Sequence, residues 1–439
     1  MTPESAGALT NLSTLVDPKV GIIRSVELLH VSERDPDVFV AYSEPCDTLP
    51  LTGLRAANRG AAWSPVRERA VIRACGESVE RYCSAFLQMD EFPVATPAAL
   101  AGAHHRYVAT GDVYPFSEAQ YSEPGFPYGP VRAETSIRWA RGTSTATEQE
   151  VWVPASCVYV PYLFDVAVEP FTHMPISTGL AAGPSPDFCV RKGVLEILER
   201  DALMVAWHNR LSLPRLDPET CVGLSPAIDQ LLRAGAPGTS RWYLTVLTLD
   251  VDVPIIGAAL IDDADPPLTS FGISADPDPA RALLLALEEA ALTRVLVNRS
   301  PELDDPATLA TRPLTTLRDH LLAHASSSRL RESLRFLTDD GPLLSFAEMQ
   351  RRAQPESHLG LLPRLWEAGF DPIWVDVTTE DVRECGISVV RTIIAGMQPL
   401  DSDHRYRHLG GRRLFSVPVA LGRPAPNLDT LNPDPHPFP

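Results

Sequence analysis

Lysine is nearly missing from this sequence: Lys19 and Lys192 are its two copies, so almost all positive charge is arginine. No G-x-x-x-x-G-K-[ST] stretch occurs, which excludes a Walker-type phosphate cradle, and no G-x-G-x-x-G follows a strand-like run. H-E-x-x-H and G-x-S-x-G are absent too, removing two common hydrolase signatures. Cysteine is sparse and irregular: Cys46, Cys75, Cys83, Cys157, Cys189, Cys221 and Cys385 form no C-x-x-C pair. An odd count at such spacings argues against a disulfide framework or a structural zinc site. Cys75 and Cys189 fall in apolar helical positions and read as small hydrophobes. No apolar run reaches the roughly 18 residues of a membrane span. Met1–Thr14 lacks the basic-then-hydrophobic order of a signal peptide, so the expected location is the cytoplasm.

Acid exceeds base, 56 Asp and Glu against 38 Lys and Arg, for a net charge of −18. Phosphate contacts need clustered cations, so a nucleic acid is not the expected partner. The 439 residues suffice to bury a large core, and no long linker divides them. Residues 20–44 alternate like two strands around a polar turn at Ser32–Asp37. Tyr107–Tyr128, rich in Gly, Pro and aromatics, reads as an ordered loop; Ser136–Gly142 and Glu150–Tyr159 read as strands. Further strands are expected at Trp242–Leu249, Pro254–Ile261, Ile373–Val377 and Ser388–Ile394, with polar helices across 300–365. Irregular alternation of strands and helices favours an α+β arrangement over a doubly wound sheet.

The informative stretch is Ser177–Asp201, a small-residue loop running into a helix that carries Glu196, Glu199 and Arg200. Residues three or four apart share a helix face, so the two carboxylates point at neighbouring places. Burying them uncompensated is costly. A cation must answer them, either an arginine from elsewhere in the fold or a divalent ion carrying phosphates. The same E-x-x-E-R spacing recurs at Glu77, Glu80 and Arg81, and a third apolar helix after Asp278-Pro279 carries Glu288, Glu289 and Arg294. Ser64-Pro65, Ser185-Pro186 and Asp278-Pro279 each suit an N-cap followed by proline in the first turn. Three such helices suggest convergence on one site. Carboxylates fit hard, oxygen-liking ions such as Mg²⁺, which leads to a nucleotide site built without a P-loop.

The chain ends Pro433-Asp434-Pro435-His436-Pro437-Phe438-Pro439. Such a run cannot join a helix and prefers an extended form. It is either a loose tail or a stiff finger delivering the carboxylate of Pro439 to a fixed place. The adjacent histidines His104 and His105 read as a loop surface or channel position.

STGLAAG at 177–183 and LEILERDALMVAWHNRLSLPRLD at 195–217 closely resemble the signature of the YcaO family, ATP-dependent enzymes that activate peptide backbone amides. ACGESVERY, GFPYGP, MQPLDSDHRYRHLGGRRLFSVP and the proline tail extend the likeness from about Val20 onward. Tails of this kind look like those of azoline-forming members. The resemblance implies a YcaO-type α+β fold: an N-terminal strand-rich segment over 1–60, a catalytic domain over 61–430 and a tail over 431–439. It implies ATP and Mg²⁺ as cofactors. Glu77, Glu80, Glu196, Glu199 and Glu289 would hold the metal, Arg81, Ala181, Ser185 and Arg200 would lie about the nucleotide, and Arg200 and the Pro439 carboxylate would serve the reaction.

The implied chemistry is cyclodehydration of Cys, Ser or Thr in a ribosomally made precursor peptide. Thioamidation, macroamidine formation and a non-catalytic scaffold role are the alternatives. The implied partners are the precursor, a separate ubiquitin-activating-enzyme-like protein that binds its leader, a flavin-dependent azoline dehydrogenase, and a second copy in a homodimer. The sequence departs from the family pattern in four places. Phe188 stands for an acidic residue, Pro184 for a polar one and Leu292 for a frequent glutamine, while Ala62-Trp63-Ser64 replaces Gly-Lys-Gly.

Overall fold

A computed structural model gives the structure of the chain and describes residues 12–29, 38–56, 59–233, 240–263, 268–305, 309, 311–352 and 360–438. The turn expected at Ser32–Asp37 and the terminal Pro439 lie outside the described residues. Two compact units are interleaved along the chain: the first takes 1–29, 39–197 and 365–397, the second 30–38, 198–364 and 398–439. The boundary at Ile197 and Leu198 falls inside one helix, Pro186–His208, the central helix.

In the first unit, β1 (Ile23–Leu29), β2 (Phe39–Pro45) and β3 (Gly60–Ser64) form an antiparallel sheet. The first acidic helix, Arg67–Ala85, packs against it through Ala41, Ala62, Ala70 and Ala74. Four small side chains let helix and sheet approach closely, and Ser43 fastens the contact by donating to the Ala74 carbonyl at 2.6 Å. The expected Ser64-Pro65 cap is corrected. Ser64 is held in β3 opposite Phe39, the helix starts at Arg67, and Ser64 Oγ instead accepts the N–H of Val66 at 3.1 Å.

A second sheet of the first unit is antiparallel throughout and runs β4 (Val94–Ala95), β5 (Ile137–Ser144), β13 (Ile373–Asp376), β14 (Ser388–Ile393), β7 (Leu180–Gly183), with β6 (Glu150–Pro154) on β5. Its core is one continuous apolar cluster that includes Val79, Tyr82, Val153, Leu180, Val389 and Ile393. β6 is shorter than expected: Pro154 ends it, and Ala155–Val158 turns into a single helical turn. Within the loop read at 177–183, Leu180–Gly183 is a strand, β7, paired with β14.

The second unit is built on a sheet ordered β11 (Leu268–Ala275), β10 (Ile255–Asp262), β9 (Ser240–Val246), β8 (Arg215–Leu216), β12 (Leu343–Leu344). Every residue of β10 is buried, which its apolar run IIGAALID allows. The third acidic helix, Pro279–Asn298, lies on β10 and β11, its first turn capped by Asp278, which accepts the Ala280 N–H. Gly272 permits that packing, because a Cβ there would meet Ala290 N at 2.3 Å. The α+β reading holds, and among the strands described above all pairings are antiparallel except β8 with β12.

Candidate functional site

In the first unit three carboxylates are each oriented by a main-chain N–H. Glu77 accepts from Ala61 at 3.0 Å, Glu80 from Ala182 at 2.8 Å and Glu196 from Gly179 at 2.9 Å. The last two donors belong to the STGLAAG stretch, so its small residues bring backbone, not side chain, to the acids. Arg81 bridges to Glu77 at 3.2 Å with its side chain largely buried, and its other terminal nitrogen, also buried, has no hydrogen-bond partner. Burial pushes the Glu80 carboxyl up to about 8; Arg81 and the Ala182 amide pull it down, while Glu77 and Glu196 add to the rise. A buried guanidinium nitrogen without a partner suits an acceptor such as a phosphate oxygen.

In the second unit the pattern repeats on β11. Glu199 accepts from the Ala275 N–H at 2.7 Å and the Ser274 hydroxyl at 3.1 Å, and Glu289 accepts from the Ile273 N–H at 2.7 Å. Ile273 and Ala275 are two apart on the strand, so their N–H groups point the same way. The Arg200 guanidinium lies 3.4 Å from Glu199 and 4.0 Å from the ring centroid of Phe438. Glu288 is buried, whereas Arg294 pairs with Asp262 at 2.7 Å as a buried ion pair.

Two assigned nucleotide contacts have structural occupations. Ser185 caps the central helix by accepting the Phe188 N–H at 3.3 Å, and Ala181 is buried in β7 opposite Val390. Phe188 lies against Gly183, at the end of β7. His104 and His105 are exposed. Burial pushes Cys75 up to about 11 and Cys157, Cys189 and Cys221 up to about 12, so these thiols stay protonated at neutral pH.

Sequence reasoning missed the groups that hold the tail in the second unit. The Asn432 N–H donates to the His208 carbonyl, Trp207 Nε1 to the Asp434 carbonyl at 2.8 Å, and His324 Nε2 to the Pro435 carbonyl at 2.7 Å. His436 Nε2 donates to the Asp401 carbonyl at 2.8 Å, while the Asp401 carboxylate receives His208 at 2.9 Å and His408 at 3.0 Å. Arg329 and Asp434 pair at 2.8 Å. The tail is therefore docked through Phe438. The available signal was its alternation, which leaves each second residue a side chain to be gripped.

Among the described residues no three His, Cys, Asp or Glu side chains stand together as a ready cage for an ion. Mg²⁺ commonly binds through one or two carboxylates together with substrate phosphates and waters. The chain matches the family model described as YcaO cyclodehydratase, ATP- and Mg²⁺-binding, over residues 65–398. It belongs to the YcaO family. By that membership it is of the ATP-dependent cyclodehydratase type, with Mg²⁺ as its metal.

An uncharacterized protein of Methanothermobacter thermautotrophicus is 24% identical over 401 residues, which are 88% of this chain and 91% of that one. A YcaO from Methanopyrus kandleri, solved with AMPPCP and Mg²⁺, aligns at TM-score 0.62 and 20% identity, covering 93% of this chain and 94% of its own. A heterocyclase solved in complex with substrate and cofactor aligns at TM-score 0.77 and 21% identity over 99% of this chain. This YcaO chain spans 57% of that heterocyclase's length. At those identities the solved structures establish the fold. Among the described residues no helix is long and apolar enough to cross a membrane.

Proposed function

We propose that this YcaO protein catalyses ATP-dependent cyclodehydration of Cys, Ser or Thr residues in a ribosomally made precursor peptide, in the cytoplasm. The side-chain sulfur or oxygen attacks the preceding carbonyl carbon, and the resulting oxyanion takes the γ-phosphoryl group of ATP, releasing ADP. The attack closes the ring; loss of phosphate together with the amide N–H proton then forms the C=N bond of the azoline, so one water leaves the peptide overall. Glu77, Glu80, Glu196, Glu199 and Glu289 would hold Mg²⁺, which would supply the positive charge that offsets the phosphates carboxylates alone would repel. Arg81 takes a phosphate oxygen, Arg200 takes another or orients Glu199, and Ala181 and Ser185 border the nucleotide. The Pro439 carboxylate serves as proton acceptor near the reacting amide.

The observation that carries this reading is a device found in each unit, acidic helix residues fixed by main-chain donors: Glu77, Glu80 and Glu196 in the first, where a buried Arg81 nitrogen has no partner, and Glu199 and Glu289 in the second. The precursor reaches the enzyme through a separate leader-binding, ubiquitin-activating-enzyme-like partner, and a flavin-dependent dehydrogenase oxidises azolines to azoles. The enzyme works as a homodimer.

The test is mass spectrometry of a precursor incubated with the protein, its partner and Mg-ATP, with Glu199→Ala as control. Successive losses of one water, abolished by the substitution, are expected. A gain of sulfur would redirect the reading to thioamidation, and an unchanged peptide without nucleotide turnover would leave a scaffold role.

A further inference from the structure

The docked tail ends against the side chain on which the nucleotide reading depends. Phe438 is 2% exposed, its N–H donates to His436 Nδ1 at 3.3 Å, and its ring faces the Arg200 guanidinium. The same guanidinium lies 3.4 Å from Glu199. Asp401 fixes the register, holding His436 through its carbonyl and His208, eight residues after Arg200 on the central helix, through its carboxylate. An arginine side chain has several rotatable bonds, and a planar guanidinium stacked on an aromatic face loses most of that freedom.

We propose that Phe438 is a positioning residue for the nucleotide site: its ring sets the plane of the Arg200 guanidinium beside Glu199, so that the tail acts on phosphate binding through Arg200. This rests on the placement of Arg200 at the nucleotide. The tail thereby has a binding role separate from its terminal carboxylate. The register of alternate prolines matters because a shift of one residue would put a proline where the ring belongs.

The experiment measures the dissociation constant for Mg-AMPPCP by calorimetry on the full chain, with unliganded melting curves as the folding control. Phe438→Leu should weaken binding roughly tenfold, within the range of a desolvated cation–π contact. Phe438→Tyr, which keeps the ring face, should stay within about twofold by the same reasoning. Phe438→Leu combined with Arg200→Lys should bind no more weakly than Arg200→Lys alone, because the two act in series. Should the Leu variant fold poorly, pentafluorophenylalanine in place of Phe438 keeps the volume, reverses the ring's charge distribution and should weaken binding alike. Weakened binding with Arg200→Lys but unchanged binding with the Phe438 variants overturns the inference and leaves Arg200 in the site, as does full additivity. No effect of Arg200→Lys removes Arg200 from the nucleotide site, a separate failure that takes the inference with it.

Discussion

Glu80 accepts the Ala182 N–H at 2.8 Å while its carboxyl is pushed up to about 8 by burial. The amide orients the group, yet the protein supplies too little positive charge to keep it ionised. Its folded-state value lies above its unfolded one, so in metal-free protein its contribution to stability is present at low pH and is lost as pH rises toward 8. Glu80→Gln keeps the acceptor and removes the charge. In a chelator at pH 8 the variant should exceed wild type in stability by on the order of 1 kcal/mol, discounted for partial exposure, with the difference vanishing near pH 5. The same variant should lose its Mg²⁺-dependent melting shift with ATP. Denaturant titrations at both pH values check this, and a gap that does not change with pH would contradict it.

Glu289 separates a structural from a chemical role. Glu289→Ala orphans the Ile273 N–H in β11 and should cost about 1–3 kcal/mol of stability. Glu289→Gln still accepts that bond and should melt close to wild type, yet its ATP turnover should fall at least about tenfold if the charge holds metal. Turnover equal to wild type with Gln would leave Glu289 a bracket for the strand.

Much of this was legible beforehand, and the reasons are local. Helical periodicity and the E-x-x-E-R spacing placed Glu77, Glu80, Glu196 and Glu199 on helices because such signals need only neighbours in sequence. β11 was missed: LTSFGISA has one glycine and two serines, and it is a strand because β10 pairs along its length while the third acidic helix covers it. β7 read as a loop for the same reason, its small residues taking their conformation from β14. These two strands supply three of the five amides that orient the carboxylates, those of Ala182, Ile273 and Ala275, so the acids were readable and much of their support was not. The tail's grip was hidden too, since His208, His324 and Asp401 are far apart in sequence.

Gly179 is the tightest of those supports. Its φ is +88°, a region that favours glycine, and a Cβ would meet the Thr392 carbonyl oxygen at 2.3 Å. Its N–H is the donor to Glu196. Gly179→Ala should therefore destabilise by about 2 kcal/mol or more and displace that donor. Loss of nucleotide affinity beyond what the lowered melting point explains is expected, measured below the melting transition. Wild-type affinity in a folded variant would separate the amide from the site.

The histidines that hold the tail predict its response to acid. Burial lowers His324 and His436 to about 4, opposed by their bonds to the Pro435 and Asp401 carbonyls. Both imidazoles donate from Nε2, and His436 also accepts the Phe438 N–H on Nδ1, an arrangement that needs the neutral ring. In the unfolded chain each binds a proton near 6.5, so the folded state binds fewer protons between there and about 4. Stability is then full above pH 6.5 and falls as pH drops, by on the order of 1–2 kcal/mol per histidine at pH 5. His436→Gln retains a donor for the Asp401 carbonyl and does not titrate, so its stability should decline less steeply from pH 7 to pH 5. Denaturant unfolding at a series of pH values reads this directly. A slope equal to wild type would mean that acid acts elsewhere; a shallower slope would identify His436 as a proton-sensitive anchor of the segment that carries Phe438.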